Sequence, residues 1–175
     1  MLDIYVNSDN MEIIETNRER DSKMRAKLRG QKTGYHHGDL RRGLMDAAMT
    51  LIDIRGRNAL TMREAARRAG VSEAAPYRHF ANLDELLGAV AIEGYDMLLA
   101  DLDAVTSARA IREAYLAFAS DFPGRYELMF GKLADRKSAM RRKLLAAQVA
   151  EIVEKAGGLA ALHGEASLQL AGLEV

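Results

Sequence analysis

Apolar positions recur at helical spacing from residue 38 almost to the end of the chain, and none alternate with period two over the length of a strand. Leu40, Leu44, Ala47, Ala48, Leu51 and Ile52 fall at i, i+4, i+7, i+8, i+11 and i+12, one stripe on a helix over residues 38–55 that Gly56 ends. Thr61, with Glu64 three residues on, has the form of a capping box, so a second helix starts there. Ala65, Ala66 and Ala69 are small where that helix must approach its partner, and Gly70 can take the positive φ that stops it. Val71 is the apolar residue of a tight turn, and Ser72 is placed to cap a third helix over residues 73–80. Asn82, followed by Glu85, caps a long helix carrying Leu86, Leu87, Val90, Ala91, Leu98, Leu102 and Val105.

The pattern continues through the second half. Ile111, Ala114, Tyr115, Phe118 and Ala119 share one face of a helix over residues 108–120. Pro123 suits the first position of a short helix with Tyr126, Met129 and Phe130, closed by Gly131. Ser138 is a candidate cap for a helix whose Leu145, Val149, Ile152 and Val153 form one side, expected to meet a second copy of the chain. Gly157-Gly158 breaks it, and a last helix starts at Leu159. With only two prolines, the chain reads as all-α.

Two short helices held by a tight turn form a helix-turn-helix, whose second helix enters the DNA major groove. An ordinary helical hairpin would share the A-x-x-x-G pattern, but a core helix would carry leucines. Here Glu73, Ala74 and Ala75 are small or polar, and Tyr77, Arg78 and His79 follow on consecutive positions. Such a face suits close approach to phosphates and base edges. Pro76 forfeits an intrahelical bond and biases Ala75 away from helical angles, predicting an irregular start to this helix.

Charge sharpens the picture. Net charge is zero, yet residues 18–80 hold 15 Lys/Arg against 7 Asp/Glu, and residues 81–175 hold 10 against 14. A basic module on an acidic remainder is the electrostatic footprint of a nucleic-acid-binding domain joined to something else. Residues 18–32 alone carry 7 basic residues and 2 acids, an arm able to reach DNA or simply to solubilise. The absence of cysteine excludes disulfides and thiolate metal sites and fits a cytoplasmic protein. No membrane span or secretory signal is expected, since no apolar run is long enough and the first residues carry acids. His36-His37 are adjacent and badly placed to share a metal, and no spacing suggests a nucleophile, a phosphate-binding loop or a cofactor, so no enzymatic activity is expected.

The run TMREAARRAGVSEAAPYRHFANLDELL resembles the N-terminal domain of the TetR (tetracycline-repressor-like) transcriptional regulators, and Tyr35-His36-His37-Gly38-Asp39-Leu40-Arg41-Arg42 resembles the lead-in of one branch. The strong similarity covers residues 35–95. Weaker similarity runs through AYLAFASDFPGRYELMF and the His163-Gly164 pair of that branch's last helix. Two positions depart from it: Leu83 stands where the family commonly has a phosphate-binding lysine, and Leu159 stands where the branch usually has tryptophan.

The resemblance implies a three-helix DNA-binding domain over residues 35–81, after an arm over residues 1–34, and a helical effector-binding and dimerisation domain over residues 82–175. The DNA contacts expected are Thr61, Arg63, Ser72, Glu73, Ala74, Pro76, Tyr77 and His79. Thr61 and Ser72 sit at helix N-termini, Tyr77 and His79 would donate to phosphates, and Glu73 and Ala74 lie where base edges are read. A pocket for a small apolar or amphipathic effector is expected around Tyr95, Tyr115, Phe118, Tyr126 and Met129, residues that would otherwise be plain core. The function implied is a repressor acting as a homodimer on a palindromic operator in double-stranded DNA. The rival reading is a helical interaction protein with a degenerate DNA module.

Overall fold

The computed structural model describes residues 39–172, and every regular element among them is helical. Seven α-helices follow in order: α1 Leu40–Arg55, α2 Met62–Arg68, α3 Leu83–Asp103, α4 Ala108–Asp121, α5 Pro123–Phe130, α6 Ala139–Val153 and α7 Leu159–Leu170. Single 3-10 turns occupy Arg57–Ala59, Ala75–Arg78 and Glu154–Ala156. The basic stretch 18–32 and His36-His37 lie outside the described residues.

Four helices start on side-chain caps that satisfy an otherwise unpaired first-turn amide. Asp39 accepts from Arg42 N–H at 2.9 Å, Thr61 from Glu64 at 3.0 Å, Asn82 from Glu85 at 2.9 Å and Ser107 from Ala110 at 3.1 Å. Because Asp39 is the cap, α1 begins at Leu40, the first residue of its apolar stripe and two residues after the expected start. The box at Thr61 is only half closed: the Glu64 carboxylate turns to the Arg67 guanidinium instead of the cap amide. Ser138 caps nothing with its hydroxyl; the carboxylate of Asp135 accepts the Lys137 and Ser138 amides, and Ser138 Oγ takes Arg142 Nε at 2.9 Å.

Two apolar clusters hold these elements together. The first joins Leu44, Ala48 and Ile52 of α1, Met62 and Ala65 of α2, Phe80, and Leu86, Leu87 and Val90 from the start of α3. The second joins Tyr95, Leu98 and Leu102 from the rest of α3 to Tyr115 and Phe118 of α4, Tyr126 and Met129 of α5, Val149 and Val153 of α6, and Leu162 of α7. α3 is therefore the common strut of both.

α5 also lies directly on α1. A Cβ at Gly124 would come within 2.3 Å of the Ile52 carbonyl oxygen, so only glycine allows this approach. The next residue, Arg125, reaches Asp53 of α1 in an ion pair whose side chains are 5% and 4% exposed. Arg125 also stacks over the Phe122 ring, 4.5 Å from its centroid, and points Nη1 at Met97 Sδ. Asp53 Oδ1 and Arg125 Nε are buried without a partner. Burial pushes the Asp53 carboxyl up, and the hydrogen bond and charge of Arg125 only partly pull it back.

Candidate DNA-binding surface

α2 ends in a Schellman turn: Gly70, at φ +71°, lets Val71 N–H return to the Ala66 carbonyl at 3.0 Å. The following segment departs from the helix expected over residues 73–80. It is a turn at Glu73 and Ala74 followed by the four-residue 3-10 turn Ala75–Arg78. Pro76 is the physical reason, since it has no amide to donate and crowds the residue before it. Ser72 contributes its backbone carbonyl, to Ala75 N–H at 3.0 Å, and the Pro76 carbonyl accepts both His79 and Phe80 amides. Phe80 then drops into the first core, with the Arg41 guanidinium 5.1 Å from its ring centroid.

Of the eight contact residues expected from sequence, Thr61, Arg63, Ser72, Glu73, Ala74, Tyr77 and His79 are exposed. Pro76 is the exception: it is buried and offers no surface to a phosphate, so its part is to shape the segment. Tyr77 is 58% exposed, far more than an aromatic ring needs for packing. Leu83 is the first residue of α3 and packs against the first core, so this position offers no side-chain cation. Sequence alone did not reveal that Arg63 Nε pairs with Glu73 Oε1 at 2.8 Å, across the turn. Opposite charges ten residues apart on two short elements leave no periodic signal. On the far side of α2, Glu64 is held below the usual carboxylate range by Arg67, which it binds through two guanidinium nitrogens.

Residues 44–90, from the middle of α1 into α3, match the family model of bacterial regulatory proteins, tetR family. That stretch is a regulatory domain of the tetR family. Among solved structures it is similar to a protein of unknown function from Rhodococcus sp. RHA1, with 29% identity over 81% of this chain and 88% of that one and a TM-score of 0.62. The multidrug binding protein EbrR, solved with imidazole, shares the fold at 21% identity, 77% and 86% coverage and TM-score 0.59. A TetR family protein from Vibrio parahaemolyticus does so at 20% identity, 66% and 67% coverage and TM-score 0.52. No curated protein matches the chain. No helix among the described residues is long and apolar enough to cross a membrane.

In the second half of the chain, the five expected effector residues do come together. Tyr95, Tyr115, Phe118, Tyr126 and Met129 are each at most 3% exposed, in one cluster. Tyr95 donates to the Met129 carbonyl at 2.8 Å, the Tyr115 and Tyr126 hydroxyls meet at 3.1 Å, and the Tyr126 hydroxyl meets His163 Nδ1 at 2.5 Å. Burial pushes the Tyr95 phenol up to about 12 and raises Tyr115 and Tyr126 as well, so all three remain neutral donors. His163 and Phe130 complete the group: His163 stacks on Tyr126 with centroids 5.3 Å apart, and Phe130 lies 4.9 Å from His163. None of these residues lines the cleft of about 620 Å³ beside Arg112, Leu116 and Glu165, nor that of about 300 Å³ beside Arg57 and Glu127.

The face expected to meet a second copy is corrected. Val149 and Val153 of α6 are wholly buried, and Leu145 and Ile152 pack against the second core. The large apolar side chains that α6 and α7 expose are Met140, Leu144 and Leu168, with Leu144 60% accessible. Leu159 also packs against the second core.

Proposed function

We propose that this chain is a regulator of the TetR family, a ligand-responsive repressor that binds a palindromic operator as a homodimer. The observation that carries the reading is the exposed set Thr61, Ser72, Tyr77 and His79 around the helix-turn-helix, on a chain whose basic charge is concentrated toward that end. Tyr77 and His79 would donate to phosphate oxygens, and Glu73 and Ala74 would approach base edges. Residues 35–81 would be the DNA-binding domain and residues 82–175 the effector and dimerisation domain. Dimerisation through Met140, Leu144 and Leu168 would place two recognition segments about one DNA turn apart, roughly 34–36 Å.

The effector would enter the Tyr95–Tyr115–Phe118–Tyr126–Met129 cluster. The multidrug binding name of a protein with the same fold is in keeping with an aromatic or amphipathic ligand. Because the cluster is packed shut, such a ligand would have to separate α4 and α5 from α3 and so tilt the strut shared by both cores. It shifts operator binding only in so far as it prefers the tilted form; coupling of about 1–3 kcal/mol would loosen binding by roughly 5- to 150-fold.

Fluorescence anisotropy with labelled duplexes from the region upstream of the chain's own gene tests the reading. Binding should be sequence-dependent, saturate at one dimer per palindrome and fall steeply with salt as counterions are released. The same weak affinity for every duplex would favour a helical interaction protein with a degenerate DNA module.

A further inference from the structure

The two faces of α4 have different partners. Ile111, Tyr115, Phe118 and Ala119 enter the second core. Arg109, Arg112, Glu113 and Leu116, at i, i+3, i+4 and i+7, instead line a cleft of about 620 Å³ with the Glu154–Ala156 turn and Glu165 of α7. That volume lies within the range of small-molecule sites. Leu116 and Ala156 rest on the second core and also line the cleft, so half-buried apolar surface remains open there.

Three cations and two carboxylates surround this apolar strip, an excess of one positive charge. Both carboxylates are engaged. Glu113 accepts from Arg109 Nε at 2.7 Å, and Glu165 accepts from Arg112 Nε at 3.0 Å and from a terminal guanidinium nitrogen of the same residue. The second pair joins α4 to α7, and its Glu165 side chain is only 18% exposed. Two hydrogen bonds to one shielded carboxylate fix the guanidinium plane at the cleft wall, and Nη1 makes no hydrogen bond among the described residues. Lys155, on the turn, pairs with neither carboxylate of the cleft.

We propose that this cleft binds a small amphipathic carboxylate, with its acid group between Lys155 and Arg112 Nη1 and its apolar tail along Leu116 and Ala156. A monoanion cancels the excess charge, whereas a neutral ligand leaves it and a cation doubles it. The two oxygens of a carboxylate can each accept from a different cation. Glu165 keeps its own pair throughout, so ligand binding orphans no buried charge. The tail removes from water the apolar surface that the fold leaves open.

This site shares no residue with the DNA-binding surface or the aromatic cluster, so a titration without DNA tests it alone. The isotope-labelled full chain is followed by amide NMR with octanoate, octanol and octylammonium, each below micelle-forming concentration. Octanoate should move the Arg109, Arg112 and Lys155 amides to saturation at one per chain and bind about fivefold or more tighter than octanol, with octylammonium leaving them in place. Lys155 is exposed, and Lys155→Gln should weaken octanoate by roughly two- to fivefold while octanol is unchanged. Leu116→Ser, with its thermal midpoint as a folding control, should weaken acid and alcohol alike. Octanol binding as tightly as octanoate, an unchanged octanoate affinity in Lys155→Gln, or shifts centred on Tyr95 and Tyr126 would each overturn the assignment, as would amides that no probe moves.

Discussion

The buried Asp53–Arg125 pair makes an asymmetric prediction about stability. Both side chains are at least 95% shielded, so removing either partner leaves a charge in a poorly solvated place. An orphaned arginine cannot lose its proton at any accessible pH, so Asp53→Leu should cost about 3–5 kcal/mol at pH 7 and should not be rescued at pH 5. An orphaned aspartate can escape by taking up a proton. Its cost in Arg125→Met is therefore capped by the free energy of protonation, about 1.4 kcal/mol for each pH unit above an unfolded value near 3.9. That cap is about 4 kcal/mol at pH 7 and about 1.5 kcal/mol at pH 5.

The sign follows from linkage. A carboxyl raised in the folded state binds its proton more tightly there than in the unfolded chain, so stability is lost as pH rises from the unfolded toward the folded value. Asp53 is already raised in the native protein, and removing Arg125 takes away the groups that lower it. Urea denaturation at both pH values reads the difference. Arg125→Met should recover up to about 2.7 kcal/mol relative to wild type on going from pH 7 to 5, a shift on the order of 1 M in urea midpoint. The double variant Asp53→Leu/Arg125→Met should be far less damaged than the two singles added together, since Asp53 Oδ1 and Arg125 Nε lack partners even now. A pH-independent loss in Arg125→Met, or additive singles, would refute the view that these two residues compensate one another in a desolvated site.

Four further outcomes are expected. Gly124→Ala should destabilise by about 1–3 kcal/mol in the same denaturation assay, because its methyl would meet the Ile52 carbonyl at 2.3 Å and backbone must move. Tyr126→Phe should cost about 1–3 kcal/mol by thermal unfolding, since it strips the Tyr115 hydroxyl and His163 of a shared partner without changing ring packing. Tyr77→Ala and His79→Ala should leave the midpoint unchanged and weaken binding to all DNA sequences alike in anisotropy titrations; full affinity in the double variant would remove them from the phosphate contacts. Leu144→Glu with Leu168→Glu should convert a dimer to a monomer in sedimentation velocity, whereas a wild type already monomeric at micromolar concentration would remove these residues from any interface.

What the sequence revealed and what it hid divide along a physical line. Caps and periodicity are local, and they located α1 to α7, with Thr61 and Asn82 accepting the amides their neighbours present. The recognition segment differs from the expected helix because Ser72 has the form of a cap, while Pro76 one turn in argues against a helix. In a segment of eight residues the missing amide wins, because no propagation follows to repay it. The α6 face was misread for a different reason. Leu145, Val149, Ile152 and Val153 do share a side, but an amphipathic stripe shows only that something covers it, and here α3 and α4 of the same chain lie in that core. Longer-range events left no pattern at all. Asp53 and Arg125 lie seventy-two residues apart, and each looks like an ordinary surface charge in its own helix. Their meeting requires Gly124, whose missing side chain brings α5 onto α1, so a glycine inside a helix was the one local sign that two elements come unusually close.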